Sequence, residues 1–535
     1  MVVINVVILL LMIETLSCEA NRPNIVFIIA DDLGWNDVSF HGSDQTLTPN
    51  IDLLAYSGVA LGRYYSHAMC TPSRSALLTG KYSYKLGMQG YPLVLSEDRG
   101  LPTSITILPE YLKDAGYSTH IVGKWHVGSS REEYLPTKRG FDSHFGHRGG
   151  YLDYYEYSYE EDWGKLGRVA GLALFKNQTP AWDVEGYITD VYTEQATSII
   201  NKHDTSSPLF LMVAHNAPHA SNDGALLQAP HETVREMRYV ESPQRRIFAA
   251  MIKKLDDSVG DIVAALYAKG ILDNTIIAFV SDNGGMTSGE FNNFASNYPL
   301  RGIKMSPFEG GLRVVGLLWS ANLNNTSHYW DGYMHVIDWL PTLLSAAGIE
   351  TPADIDGINQ WDSINSNSPS ERITMYEIDD MVGYASIIYG DYKLLTGEVI
   401  QNYCTYQGSN LTGLIGKPPC YVDAIVDSTM YRVLDLIGQP FNIHDLSLRK
   451  NTIVQCDTPP TDLCFPGVGK VCLYNIREDP CETTELSASY PHLVLSMQAL
   501  LQAEVSKRIP RKKVTYRNPL SAPSRFNYTW DTWVQ

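Results

Sequence analysis

The sequence is poor in positive charge for its size. Its 535 residues carry 41 Lys and Arg against 59 Asp and Glu, which gives a formal net charge of −18. Such a chain repels a polyanion such as DNA, so nucleic acid is not an expected partner. The sequence lacks internal repeats, and a composition of 44% hydrophobic and 19% charged residues excludes a disordered or coiled-coil chain. An anionic ligand must therefore be held by a local positive pocket.

Long apolar runs are confined to the N-terminus. Residues Val2–Ile13 are almost wholly apolar, and small residues follow at positions 17, 18 and 20. This pattern predicts a secretory signal peptide over residues 1–20. No Lys or Arg precedes the run, which departs from the usual pattern and leaves a buried N-terminal strand or helix as the alternative. Because no later run is long enough to span a bilayer, we expect no stable membrane anchor and a secreted or lysosomal protein.

Cysteine is scarce before residue 400. Beyond the predicted signal peptide, Cys70 stands alone until six cysteines follow in one late segment: Cys404, Cys420, Cys456, Cys464, Cys472 and Cys481. An even number in a secreted chain predicts three disulfides, which allow fifteen pairings. A zinc site is the alternative, but no C-x-x-C pair or nearby His supports it. Triplets compatible with glycosylation occur at Asn177, Asn324, Asn325, Asn410 and Asn527.

Short runs that are apolar on both faces predict buried parallel strands. They lie at residues 24–30, 119–122, 208–214, 275–280 and 314–319. Helical patterns separate them, such as Arg246–Ala268, which Gly270 terminates. This alternation predicts one large α/β domain over residues 21–375. Beyond it, short Tyr-, Val- and Ile-bearing runs and turn residues predict a smaller, disulfide-linked α+β domain over residues 376–535.

Polar clusters follow three of the predicted strands. They are Asp31-Asp32, Lys124-Trp-His126 and Asp282-Asn283. Ligands of open α/β sheets bind beyond the carboxyl ends of the strands, so we expect these clusters to share one site. The oxygens of the two acidic clusters are hard donors that suit Ca²⁺ or Mg²⁺ rather than zinc. A solvated acidic pair and an ordinary Asn-Gly-Gly turn are the alternatives for each motif alone.

The segment Cys70-Thr-Pro-Ser-Arg74, followed by Leu78-Thr-Gly80, carries the most specific signal. Thr71 suits a helix cap and Pro72 the first helical position, which predicts Cys70 at a helix N-terminus. There the helix dipole and free amides favour an anion, or a nucleophile whose reaction develops negative charge. The alternative is a buried free cysteine without a chemical role.

This segment resembles the C-x-P-S-R and L-T-G signature of type I sulfatases, in which the cysteine is oxidised to formylglycine in the endoplasmic reticulum. The resemblance covers most of the chain, from residues 21–26 through Gly123-Lys-Trp-His126 and Ser281-Asp-Asn-Gly-Gly285 to Arg301-Gly-Ile-Lys304. Residues 138–146 and 393–397 look most like the arylsulfatase B (N-acetylgalactosamine-4-sulfatase) subgroup. The family implies an alkaline-phosphatase-like α/β fold, in which helices sandwich a large mixed sheet and a smaller C-terminal α+β domain follows.

The resemblance also implies a ligand set and a catalytic set. The implied ligands of one Ca²⁺ are Asp31, Asp32, Cys70, Asp282 and Asn283. The implied catalytic residues are Cys70, Arg74, Lys124, His126, His219 and Lys304. As formylglycine, residue 70 would be hydrated to a geminal diol that attacks sulfur.

The other catalytic residues have implied roles around that diol. Arg74 would stabilise it, and the two lysines would bind sulfate oxygens. His219 would give a proton to the leaving alcohol, and His126 would take one from the second diol hydroxyl. His215, four residues before His219, is either a further pocket residue or a structural one.

The implied activity is hydrolysis of a sulfate ester, with a formylglycine-generating enzyme as the maturation partner. The subgroup includes enzymes that act on N-acetylgalactosamine 4-sulfate in dermatan and chondroitin sulfate, and related insect enzymes that act on glucosinolates. A net charge of −18 favours a small aryl, sugar or thioglucoside sulfate over a long polyanion. Two other functions stay open: a phosphohydrolase of the same superfamily, and a catalytically inactive, secreted carbohydrate-binding glycoprotein.

Two further patterns receive structural interpretations. The tyrosines of residues 151–159 lie among acidic residues, which favours an exposed polar loop over an aromatic rim for substrate. The basic stretch at residues 507–513 favours a solvated face over a contact with a sulfated polysaccharide.

Overall fold

A computed structural model describes residues 22–407, 413–444, 446–456, 458–513 and 516–534. The predicted signal peptide over residues 1–20 and the glycosylation triplet at Asn410 lie outside the described residues. Across the described ranges, no helix combines the length and the apolar character needed to cross a bilayer.

The strands form a large sheet, a small sheet and a separate hairpin. Their bounds are β1 Asn24–Ala30, β2 Val59–Tyr65, β3 Ser118–Gly123, β4 Ser143–His147, β5 Ser158–Asp162, β6 Arg168–Leu172, β7 Leu174–Lys176, β8 Thr179–Pro180, β9 Leu209–Ala214, β10 Thr275–Ser281, β11 Gly316–Ser320, β12 His328–His335, β13 Thr374–Asp379, β14 Tyr384–Tyr389, β15 Tyr392–Gly397 and β16 Cys472–Asn475. The predicted strands are therefore confirmed as β1, β3, β9, β10 and β11.

The helices alternate with these strands up to about residue 350. Their bounds are α1 Pro49–Ser57, α2 Cys70–Thr79, α3 Leu108–Asp114, α4 Ile188–Lys202, α5 His231–Glu236, α6 Pro243–Lys269, α7 Glu309–Leu312, α8 Trp339–Ala346, α9 Trp361–Ser366, α10 Tyr421–Asp427, α11 Thr429–Leu436, α12 Ser447–Thr452 and α13 Pro491–Val505. The predicted helix at 246–268 is confirmed within α6. It begins after Ser242, whose side chain accepts a hydrogen bond from the Arg245 backbone N–H, and ends before Gly270 in the left-handed conformation.

The large sheet has the order β12-β2-β11-β10-β1-β9-β3-β4-β7-β8. The five central strands β10, β1, β9, β3 and β4 run parallel, whereas β11, β7 and β8 pair in antiparallel fashion. Side chains of β1 alternate between two hydrophobic cores: Val26 and Ile28 pack on one face, and Ile25 and Phe27 on the other. Both faces are thus covered, and the predicted large mixed sheet sandwiched by helices is confirmed.

Strand register brings the predicted polar clusters to one edge of the sheet. Ala30 at the end of β1 pairs with Ser281 at the end of β10, and Gly123 of β3 pairs with Ala214 of β9. Because these strands are parallel, the residues that follow them emerge side by side.

The C-terminal part contains the antiparallel sheet β13-β14-β15-β16, against which α13 packs. Not all of the late residues belong to this smaller unit. Helix α11 packs on α1 and α6 of the larger unit, and α10 packs on α1. Trp530 is buried in the core on one face of the large sheet. The division between residues 375 and 376 stays a prediction.

Two of the three predicted disulfides are present, and the third expectation is wrong. Cys456 bonds to Cys481 and Cys464 to Cys472, whereas Cys404 and Cys420 are free. Cys404 is buried in a cluster beside the small sheet, but Cys420 is exposed just before α10. These two segments pack against different parts of the molecule, which explains the missing pair.

Candidate active site

Three buried carboxylates converge at the carboxyl ends of β1 and β10. Asp31, Asp32 and Asp282 are at most 3% exposed. The Asp282 backbone N–H donates to the Ala30 carbonyl at 3.1 Å, and the Asp32 N–H donates to Asp282 Oδ1 at 3.2 Å. These bonds continue the sheet ladder by one residue and fix the two acidic clusters against each other, as the sequence predicted.

Each carboxylate has its own buried cation. Lys124 Nζ lies 2.7 Å from Asp31 Oδ2, Arg74 Nη2 lies 2.9 Å from Asp282 Oδ2, and Lys304 Nζ lies 2.7 Å from Asp32 Oδ1. The arrangement is charge-balanced, which is what burial of ionised groups requires.

Burial and neighbouring charge act on the carboxylates in opposite directions. Burial raises the pKa of Asp31 to about 8 in spite of the Lys124 ammonium. For Asp32 burial acts in the same sense, but Lys304 and His219 overcome it and lower the pKa to about 2. These two neighbouring acids are thus unequal, which is typical of a functional cluster.

The cluster also has oxygen atoms that could hold a cation. Oδ1 of Asp31 and Oδ1 of Asn283 are buried without a hydrogen-bond partner, and the Asn283 amide donates to Asp32 at 2.6 Å. Ligand atoms of Asp31, Cys70 and Asp282 all lie within 4.8 Å of one another. Since buried polar atoms are normally satisfied, the two orphaned oxygens fit a hard cation such as Ca²⁺ or Mg²⁺.

Cys70 is the first residue of α2, so its predicted place at a helix N-terminus is confirmed. The predicted cap is wrong, because Met69 occupies the cap position and the Thr71 hydroxyl donates to the His126 carbonyl at 3.1 Å. Arg74 follows one helical turn after Cys70, so both side chains share the face of α2 that meets the carboxylates. Cys70 is 1% exposed, and burial raises the pKa of its thiol.

His126 has a defined proton arrangement. Its Nε2 lies 2.9 Å from the Leu93 carbonyl oxygen, so Nε2 carries the ring proton. Its Nδ1 is buried without a partner and remains an acceptor. Burial and the nearby Lys124 charge hold the pKa of His126 well below its usual range.

His219 has the opposite arrangement. Its Nδ1 lies 2.6 Å from the Ala220 carbonyl oxygen and carries the proton. Its Nε2 faces Lys304 Nζ at 3.3 Å and Asp32 Oδ2 at 3.4 Å. Burial lowers the pKa of His219 to about 3.

His215 does not join this group. The ring is fully buried, and its Nε2 lies 3.1 Å from the Ser258 hydroxyl on α6. Of the two interpretations of this residue, the structural one fits the geometry.

A cavity of about 960 Å³ opens above these residues, with Cys70, His126, His219 and Lys304 at its floor. Tyr151 and Tyr159 line its wall, and the Tyr151 ring is parallel to the His219 ring at 5.7 Å. The expectation of an exposed polar loop at 151–159 is therefore wrong. The signal that could have corrected it is the spacing of two between Tyr157 and Tyr159, which are both buried, Tyr159 within β5.

The chain is similar in sequence to known proteins. A family model described as Sulfatase matches residues 23–349. Arylsulfatase J of Mus musculus is 35% identical over 531 residues, which cover 98% of this chain and 82% of that protein. N-acetylgalactosamine-6-sulfatase of Homo sapiens is 30% identical over 393 residues, which cover 69% of this chain and 71% of that protein. The predicted 4-sulfatase subgroup stays a prediction.

Solved structures share the architecture. Ps i-CgsB in complex with k-i-k-neocarrahexaose superposes with a TM-score of 0.72 at 26% identity, covering 96% of this chain and 100% of that chain. The sulfatase PsFucS1 from Pseudoalteromonas sp. superposes with a TM-score of 0.64 at 22% identity, covering 93% of each chain. The second likeness concerns the fold alone, and together they confirm the expected alkaline-phosphatase-like architecture.

Proposed function

The chain belongs to the sulfatase family and hydrolyses sulfate esters, and we propose that a formylglycine made from Cys70 is its nucleophile. We propose further that one Ca²⁺ is bound beside this residue. The observation that carries the proposal is the position of Cys70. It begins a helix at the floor of a cavity, within 4.8 Å of carboxylate oxygens and one helical turn before Arg74. A buried thiol with a raised pKa is a poor nucleophile, which favours conversion of this side chain to another group.

We assign the metal to the acidic cluster. Asp31, Asp32, Asp282 and Asn283 supply the oxygens, and residue 70 completes the set. A Ca²⁺ held by these residues would supply a positive charge that orients a sulfate oxygen and lowers the barrier to attack at sulfur. Arg74 Nη2 donates to Asp282 Oδ2 at 2.9 Å and so fixes the orientation of this carboxylate.

The hydrate of a formylglycine at residue 70 would supply two hydroxyls. One would attack sulfur, and loss of a proton from the other would expel the sulfate and restore the aldehyde. Because the folded side chain is 1% exposed, the modification has to precede folding of this region. A formylglycine-generating enzyme of the endoplasmic reticulum is therefore the expected partner, and it acts on the unfolded segment.

Lys124 and Lys304 bind the sulfate oxygens. Both ammonium groups already lie beside the carboxylates that would hold the metal, at 2.7 Å from Asp31 and Asp32. Charge that develops on the transferring group thus meets fixed, water-excluded cations, which is the most effective form of transition-state stabilisation.

The two histidines move protons at opposite ends of the reaction. The free Nδ1 of His126 accepts a proton from the hydroxyl that does not attack. His219 gives a proton from Nε2 to the leaving alcohol. Nε2 is unprotonated in the described state, and the negative charge of a bound sulfate, added to that of Asp32, favours its protonation.

The substrate we propose is a small aryl, sugar or thioglucoside sulfate, such as a glucosinolate. The −18 net charge and a cavity of about 960 Å³ with tyrosines in its wall support a compact substrate. The alternative substrate is N-acetylgalactosamine 4-sulfate in dermatan or chondroitin sulfate.

We place the protein in the secretory pathway, either secreted or lysosomal. The two disulfides support this placement, since disulfides persist in oxidising compartments.

Peptide mass spectrometry across residue 70 of the protein from eukaryotic cells tests the proposal, with the aldehyde expected in place of the thiol. Cys70→Ala should lower turnover of 4-nitrophenyl sulfate by about 10³-fold or more. The matched control is Cys420→Ala, which removes an exposed free thiol and should keep full turnover. An unmodified thiol in a fully active enzyme would refute the proposal. Faster hydrolysis of 4-nitrophenyl phosphate would favour the phosphohydrolase instead.

A further inference from the structure

The outer half of the cavity is rich in aromatic rings. They come from five separate segments of the chain: Tyr91, Tyr151, Tyr159, Phe291, Tyr403 and Tyr516. The rings of Tyr151 and Phe291 lie 5.0 Å apart, and those of Tyr151 and Tyr159 lie 4.8 Å apart. The rings of Tyr151 and Phe291 also lie 5.7 Å and 6.3 Å from the His219 ring, so they border the place where the alcohol part of a sulfate ester leaves.

Carboxylates stand among these rings. Glu160, Glu161 and Asp162 of β5 and Glu290 of the loop after β10 line the same cavity. Burial raises the pKa of Tyr151, and the charges of Glu161, Glu160 and Glu290 raise it further. These three carboxylates are therefore close enough to Tyr151 to act on its hydroxyl.

The cavity has fewer positive side chains than carboxylates in its lining. Among the described residues that line the cavity, the lysine and arginine side chains are Lys304 and Arg517. Lys304 is paired with Asp32 at the floor, and Arg517 is exposed at the mouth. Arg168 neutralises Glu160 from outside, at 3.4 Å, and also pairs with Asp223. Asp162 and Glu290 form no ion pair within the described ranges, so the wall above the sulfate position is negative.

We propose that this cavity selects sulfate esters of aromatic alcohols that carry a protonated amine, and that it discriminates against alcohols with a second negative group. The inference rests on the proposed function, because it concerns the alcohol part of the same substrate. Aromatic faces attract an ammonium group by cation–π interaction, and nearby carboxylates add a direct charge attraction. A floor that binds one sulfate and a wall that repels anions together define a substrate with one negative end and one positive end.

A series of para-substituted phenyl sulfates with different tail charges tests the proposal. The substrates are 4-(2-aminoethyl)phenyl sulfate, 4-propylphenyl sulfate and 3-(4-sulfooxyphenyl)propanoate, which release similar phenols and differ mainly in the charge of the tail. We expect kcat/KM to fall in that order, with the amine favoured over the carboxylate on the order of ten-fold at low salt. The ratio should shrink as ionic strength rises.

Glu290→Gln should reduce the amine-to-carboxylate ratio about three-fold. The matched control is Glu194→Gln, which removes an exposed charge from α4 outside the cavity and should leave the ratio unchanged. Equal rates for the three substrates, a preference for the carboxylate, or an unchanged ratio in Glu290→Gln would overturn this inference. Failure to hydrolyse all three and 4-nitrophenyl sulfate as well would overturn the proposed function instead.

Discussion

Replacing Lys393 by Met should destabilise the protein more than removal of any surface lysine. Lys393 of β15 is fully buried, and its Nζ lies 3.0 Å from Glu309 Oε1 and 3.0 Å from Glu482 Oε1. Methionine has a similar volume, so the substitution removes the charge with little change in packing. It leaves two buried carboxylates side by side without their shared ion-pair partner.

The expected loss is about 3–5 kcal/mol in the free energy of unfolding, the usual cost of breaking a buried ion pair from one side. The Tyr65 hydroxyl donates to Glu309 at 2.8 Å, and the Glu309 N–H donates to Glu482 at 2.8 Å. These bonds remain in the variant and keep the loss below the full cost of two unpaired charges.

The loss should depend on pH. Burial and the neighbouring Glu309 raise the pKa of Glu482 to about 7, although Lys393 acts to lower it. A raised folded-state pKa means that ionisation costs stability as the pH rises through that pKa. Without Lys393 this pKa rises further, so the deficit of the variant should be larger at pH 8 than at pH 5.5.

Denaturant unfolding followed by tryptophan fluorescence at both pH values measures the loss. The matched control is Lys113→Met, which breaks an ion pair of 2.8 Å with Asp142 at the surface. This control should change stability by less than about 1 kcal/mol. A Lys393→Met variant as stable as the control, or with the same deficit at both pH values, would refute the reasoning.

Three further substitutions have sharp expected outcomes. Gly123→Ala should lower the free energy of unfolding by at least about 3 kcal/mol, because a Cβ there would lie 1.9 Å from the Ala214 carbonyl oxygen. Gly167 is also at positive φ but in open space, so Gly167→Ala should lower it by about 1 kcal/mol in the same unfolding assay. Asn283→Leu should weaken Ca²⁺ binding at least about ten-fold. Calorimetric titration of Ca²⁺ into protein from which a chelator has removed the metal measures this, and an unchanged affinity would remove Asn283 from the ligand set. Burial lowers the pKa of His41 to about 3, so below pH 6.5 the unfolded chain binds a proton that the folded protein does not, and stability falls with the pH. Between pH 7 and 4.5, His41→Phe should lose about 2–3 kcal/mol less of its free energy of unfolding than the unchanged protein. An equal loss in both proteins would contradict this.

The floor of the site could be predicted because its residues follow buried strands directly. Asp31 and Asp282 follow apolar runs that are typical of strands in a sheet with both faces covered by helices. The carboxyl ends of these two strands lie side by side and bring the two residues together. Arg74 could be predicted from helical periodicity, since it lies one turn after Cys70.

The wall could not be predicted in the same way. The Tyr151 and Tyr159 segment has a composition typical of an exposed loop, but contacts with distant residues bury it. Trp530, 371 positions from Tyr159, donates to the Tyr159 carbonyl, and Phe291 packs against Tyr151. The third disulfide failed for a related reason, because an even number of cysteines says nothing of whether Cys404 and Cys420 lie near each other. Contacts between residues far apart in sequence decide both cases.

The floor and the wall of this cavity have separate origins in the chain. The floor is attached to the rigid sheet and to α2, whereas the wall is assembled from segments around residues 91–96, 150–162, 286–291, 400–403 and 516–517. Exchange of these wall segments can re-specify which esters the enzyme accepts while the sulfur chemistry stays intact. Related sequences with the same floor and different wall segments should accordingly catalyse the same reaction on different substrates. Grafting single wall segments between them offers a practical route to new substrate preferences.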